Sequence, residues 1–158
     1  MTAEALVLGL TTSVVAEAGP ASAALPRRSA LANKIDWAIL HLLNRERAAH
    51  GLRRSLRDAR PAAIRPLSHE LPGEPVFTRR ISNAGYDWSW AGENIGWNSD
   101  MSLPGVALLE RLMYHEKPPN NDHRLNILST HYRNVGVDIY LDHEHHKVWL
   151  TTDFGERW

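Results

Sequence analysis

The stretch Pro119-Asn120-Asn121-Asp122-His123-Arg124-Leu125-Asn126-Ile127-Leu128 decides how this chain is read. A breaker-rich run, Pro118–Asp122, ends at His123, and a short apolar-bearing turn follows. That pattern predicts a short helix with an imidazole at its start. Backbone holds such a ring on one side and core contacts hold it on the other, which suits a side chain that must meet other groups.

Upstream, Ser102–Glu116 reads as a helix, with Ser102 as N-cap and Pro104 in the first turn. Val106, Leu109 and Met113 form an inward stripe that Glu116 continues and Glu110 leaves. A carboxylate on that face at a helix end points to the interior or to a cleft. Pro118-Pro119 then stops the helix. Further upstream, Ala84–Trp97 is rich in glycine and aromatics and holds Glu93 between Gly92 and Asn94. This carboxylate is expected to be at least partly buried, with a partner or a raised pKa. Capping a nearby backbone is its plainer role.

Leu31–His50 is the clearest helix. Ile35, Ile39, Leu42 and Leu43 recur at helical spacing, and Leu31 extends the stripe. Gly51 suits the position after the cap, with Leu52 as the apolar residue beyond it. Asn44, Arg45 and Arg47 lie near the end of this helix. Arg53–Pro75 is basic and broken by proline, so at most a short helix fits before Pro61. Without interleaved aromatics its arginines read as a solvated face, not as a nucleic-acid surface. Val76–Ala84 predicts a short helix or turn. Asn134–Leu141 and Lys147–Phe154 alternate apolar and polar residues, and the polar Asp142–His146 joins them as a hairpin. Helices followed by a terminal antiparallel pair make an α+β chain.

The chain has 158 residues, enough for one domain with a real core. Its formal net charge is zero, so no global field draws in nucleic acid or an anionic membrane. The absence of cysteine excludes thiol catalysis, thiolate metal sites and disulfides. Ala5–Ala16 is apolar but too short to span a bilayer, and Ala21-Ser22-Ala23 fits a cleavage site. Residues 1–25 therefore read as a signal peptide, with a disordered leader as the alternative. Glu4 stands where such a leader has a basic residue. The domain is placed at residues 30–158, with no transmembrane segment and a monomer expected.

Few short motifs survive inspection. His-Glu pairs occur at His69-Glu70, His115-Glu116 and His143-Glu144. A zincin helix needs a histidine four residues after the first, where Gly73, Pro119 and Lys147 stand instead. The cluster His143-Glu144-His145-His146 reads as a polar turn. No Gly-x-Ser-x-Gly elbow, phosphate loop or dinucleotide fingerprint is present. His69, Glu93, Glu116 and His123 remain, each singled out by local context. Two imidazoles and two carboxylates suit a divalent cation with open positions, or general acid–base work. Separate, satisfied polar groups are the alternative.

At these residues the sequence resembles the CAP superfamily, the SCP-like extracellular domain of cysteine-rich secretory, antigen 5 and pathogenesis-related proteins. The match is closest to its bacterial secreted branch. The resemblance rests on Leu43–Leu52, Ala91-Gly92-Glu93-Asn94-Ile95, Asp122–Leu128, and Val135-Gly136-Val137 with Trp149–Gly155. It implies an α-β-α sandwich with a small antiparallel sheet between helical layers, and a strand over Trp90–Trp97. It also implies a cleft of His69, Glu93, Glu116 and His123, with His69 and His123 as ligands for a divalent cation such as zinc. The segment before His69 is shorter than in the family, and Asp122 replaces a glycine. A negative charge there would favour imidazolium or metal binding by His123. The function expected is a secreted binding module. A metal-assisted hydrolase of peptide or cell-wall bonds, with Glu93 or Glu116 as base, is one alternative, and a lipid or sterol binder is another. No dedicated nucleophile is visible, which favours binding over catalysis.

Overall fold

The computed structural model describes residues 30–58 and 75–158. The leader read at residues 1–25 and the candidate ligand His69 lie outside them. Helix α1, Ala30–Ala49, buries Ile35, Ile39, Leu40, Leu42 and Leu43. Leu31 does not extend this stripe. It is 45% exposed, and the first turn points Ala32 inward instead. The helix ends as its sequence predicts. Gly51, at φ 69°, donates to the Ala48 carbonyl at 3.0 Å, and Leu52 donates to the Arg47 carbonyl at 3.0 Å. That paired closure needs a left-handed residue, which glycine adopts without a Cβ penalty.

Beyond the turn the chain forms a two-residue strand, β1, Leu56–Arg57, in place of a helix. Asn44 of α1 sets it up. Its Oδ1 accepts from the Ser55 N–H at 2.7 Å, and its Nδ2 donates to the Ser55 carbonyl at 3.1 Å. The amide thus acts as a strand neighbour, and β1 runs parallel to β3, Asn134–Asp142. Strand β4, Lys147–Glu156, pairs antiparallel with β3 and with β2, Trp90–Asn98. The sheet order is β1-β3-β4-β2.

Side chains alternate across this sheet and divide its faces. One face carries Val135, Val137, Ile139, Val148, Leu150 and Phe154. It packs against α1, against α3, Leu103–Tyr114, and beside the short α4, Asp122–Ile127. Gly96 lies on this face because a Cβ there would stand 2.7 Å from the Met113 methyl. The opposite face meets α2, Phe77–Asn83. After α2, Gly85 turns the chain at φ 80°, and Tyr86 lies on Gly155. The result is the expected α-β-α sandwich of an α+β chain, with helices on both sides of a four-stranded sheet.

Helix α3 begins as expected, with Ser102 Oγ accepting from the Gly105 N–H. It departs from expectation at Glu110. This residue stands four after Val106 and three before Met113, which places it on the buried face, and it is fully buried. Glu46 of α1 is buried close to it. Among the described residues, neither Glu110 carboxyl oxygen has a hydrogen-bond partner, and Glu46 Oε2 has none either. Burial, and then the charge of Glu46, pushes Glu110 up to about 8. Burial raises Glu46 to about 7 against the pull of Arg45, Arg111 and Arg124.

A pH dependence of stability follows from Glu110. Between its ordinary 4.5 and about 8, the folded chain keeps a proton that the unfolded chain releases. Stability therefore falls as pH rises through this window, by at most about 1.4 kcal/mol per pH unit from this group, and levels off above it. Glu110→Gln should remove that slope. Urea denaturation at pH 5, 7 and 9 checks this, and parallel losses in the two proteins would contradict it.

Candidate functional site

Helix α3 stops at Tyr114, with His115 as its C-cap, so Glu116 stands in the turn beyond it. Its carboxylate reaches the start of α4. One oxygen accepts from the His123 backbone N–H at 3.1 Å, and the other meets His123 Nδ1 at 2.5 Å. A single carboxylate thereby satisfies an open donor of the helix and orients the ring. With Nδ1 carrying the hydrogen toward Glu116, Nε2 is the nitrogen with a lone pair to offer. Glu116 and His123 are 25% and 30% exposed, so the dyad is reachable from solvent. Asp122 is exposed in the first turn of α4 and is not the partner of the ring. The turn brings Glu116 to the imidazole instead.

Arg124 fastens α4 to the end of α3. Its guanidinium lies 4.7 Å over the Tyr114 ring and donates to the Tyr114 carbonyl. Tyr114 in turn meets His50 Nε2 at 3.0 Å. On the other side, α4 is clamped to β2. Asn94 Nδ2 donates to the His123 carbonyl at 3.0 Å, and Asn126 Nδ2 donates to Asn94 Oδ1 at 2.9 Å. Tyr132 donates to the Ala91 carbonyl at 3.3 Å. Gly92 must be glycine for this clamp, since a Cβ would lie 2.5 Å from the Tyr132 hydroxyl and 2.8 Å from Asn126 Oδ1.

Glu93 stands next to Asn94 in an unbroken strand, so its side chain takes the opposite face. Its carboxylate pairs with Arg80 of α2 at 2.7 Å, and the two side chains are almost wholly buried. Its cross-strand neighbour is Asp153. Burial, then the charge of Glu93 and a hydrogen bond to it, holds Asp153 well above the usual carboxylate range. A protonated Asp153 donating to Glu93 satisfies that geometry. Glu93 is thus buried, as expected, with a specific partner.

Of the four residues singled out in the sequence, Glu116 and His123 come together directly. Glu93 has Arg80 and Asp153 as its neighbours, and neither Glu116 nor His123 hydrogen-bonds to it. Among the described residues, no three histidine, aspartate or glutamate side chains converge as a cation site. The hairpin cluster behaves as the polar turn it resembles. His143–His146 are exposed, and His145 bonds back to Asp142 through its N–H and its ring. Sequence reading missed Asn94, Asn126 and Arg80. The signal for Asn94 was its place on the core face of β2.

Removing the clamp should loosen the helix that carries His123. Asn94→Ala takes away one donor and one acceptor in the interior and should cost about 1–3 kcal/mol. Native-state hydrogen exchange should show faster exchange at the amides of α4 than at those of α1. Unchanged protection in α4 would count against the clamp.

No protein-family model and no curated protein matches this sequence. Solved structures do match. An extracellular protein containing an SCP domain from Bacillus anthracis is 23% identical, with TM-score 0.65 over 80% of this chain and 41% of its own. A cysteine-rich secretory protein from Staphylococcus aureus is 13% identical, with TM-score 0.57 over 82% and 40% respectively. The chain thus spans about two fifths of the length of these two proteins. An outer surface protein from Borrelia burgdorferi is 16% identical, with TM-score 0.62 over 79% of this chain and 94% of its own. No helix among the described residues is long and apolar enough to cross a membrane. The sandwich is therefore the fold of these SCP-domain and secretory-protein structures.

Proposed function

We propose that this chain is a secreted binding module whose site is built on His123 and takes a divalent cation. One observation carries the reading. Glu116 grips His123 through both backbone and Nδ1, which leaves Nε2 as the coordinating nitrogen. A carboxylate behind an imidazole is the usual outer partner of a metal-bound histidine, because it fixes the tautomer and strengthens the donor. An imidazole nitrogen backed in this way suits a zinc-like ion. His123 would hold it, with His69 as the second imidazole that the family resemblance implies. Glu93 is committed to Arg80 and enters as structure. The extracellular and secretory neighbours support the secreted part of the reading.

A hydrolytic reading draws on the same dyad. With its ring backed by Glu116, His123 is placed as a general base for peptide or cell-wall bonds. Glu93, held by Arg80, is the weaker candidate for that role. An apolar ligand, lipid or sterol, would draw instead on the exposed Leu108, Leu112 and Leu125 of α3 and α4.

Zinc calorimetry on the full chain tests the proposal. Saturable binding should disappear in His123→Ala and weaken by about 10–100-fold in Glu116→Gln. Absent binding, or binding indifferent to both changes, rejects the cation reading. A peptide and peptidoglycan screen with His123→Ala as control distinguishes catalysis. Displacement of a fluorescent sterol or fatty acid would speak for the apolar ligand.

A further inference from the structure

A second concave feature lies away from His123, between the end of α1 and the segment joining α4 to β3. It is a cavity of about 520 Å³, lined by Arg47, Arg53, His131, Arg133 and Glu156, among others. That volume is within the range of small-molecule sites, roughly 300–1,000 Å³. Three arginines and one glutamate are among its lining residues.

These arginines are held to different degrees. Arg47 is 2% exposed and fully engaged. It donates to the carbonyls of Arg53, Ile127, Ser129 and Tyr132. Arg133 is anchored by one donor, Nη1, to the Arg54 carbonyl at 2.8 Å, and its remaining N–H groups have no partner among the described residues. Arg53 is fixed through its carbonyl, while its guanidinium makes no hydrogen bond or ion pair among the described residues. Burial, and then the nearby charge of Arg133, lowers the basicity of Arg47. Glu156 lies on the lining without an ion pair to any of the three. At the lip, His131 stacks on Trp90 at 4.2 Å, which stiffens that wall.

We infer that this groove is a second binding site, for the phosphate or carboxylate group of a small solute. The Arg47 and Arg133 charges lie close together, and Arg133 and Arg53 of the same lining keep donors without a partner among the described residues, which present the charge and the fork geometry that oxyanions accept. An anion between them would also relieve their mutual repulsion. The net charge of the chain is zero, so the attraction is local to the groove and suits a compact anion, not an extended polyanion.

The test is an amide NMR titration of the full chain with inorganic phosphate, then with acetate, at ionic strength held constant with sodium chloride. Saturable shifts should be confined to Gly51, Leu52 and residues 130–133. Arg53→Ala should weaken binding about tenfold, since one charge-assisted bond is lost. The Arg53 guanidinium makes no hydrogen bond or ion pair among the described residues, so this variant should fold normally. Glu156→Gln should tighten binding, because it removes the opposing charge, and a merely structural role for Glu156 predicts no such gain. Shifts with phosphate alone, or with acetate alone, identify which oxyanion the groove takes. No saturable shift with either, shifts scattered over the surface, or affinities unmoved by both variants would overturn the inference.

Discussion

The structure depends on one buried cation. Arg47 leaves the last turn of α1 and gives its donors to the carbonyls of Arg53, Ile127, Ser129 and Tyr132. Those carbonyls belong to the turn after α1, to the end of α4 and to the approach to β3. None of these segments has a regular partner of its own, and buried carbonyls without donors are costly. A guanidinium has enough donors in one plane to serve all of them at once. Replacing it by lysine would keep the charge but lose the fork.

With the end of α4 fixed by Arg47, its beginning is fixed by other means. Glu116 takes the free donors at His123, and Asn94 takes the His123 carbonyl. The helix is only six residues long, too short to persist by propensity. Its order comes from contacts at both ends, made by α1, α3 and β2. The imidazole inherits that order, so its direction is set by the tertiary fold and not by the local sequence.

How much of this was legible follows from where each signal lay. The ends of α1 and α3 were readable because Gly51 and Ser102 act on their own neighbours. The hairpin was readable because β3 keeps one face more polar than the other. Strand β2 came only through family resemblance, because its faces do not alternate in polarity. Asn94 faces the core side while Glu93 is buried toward α2. Glu116 and His123 were singled out separately, and the carboxylate that partners the imidazole was not the adjacent Asp122. Glu110 was misjudged from the stripe on α3. Its spacing from Val106 and Met113 put it on the buried face all the same, and Glu46 of α1 is buried beside it. The two-residue β1 was hidden for a different reason, since the Asn44 side chain, distant in sequence, creates it.

Strand β2 is an edge of the sheet, and an edge offers unpaired backbone to any passing strand. Here the offer is partly withdrawn. The Ala91 carbonyl is taken by the Tyr132 hydroxyl, and the Glu93 carbonyl by Asn126 Nδ2. Gly92, between them, admits both side chains. The residues that steady α4 therefore also act as a guard against strand addition. A chain that lost this guard would gain a route to self-association through its sheet, apart from any change at His123.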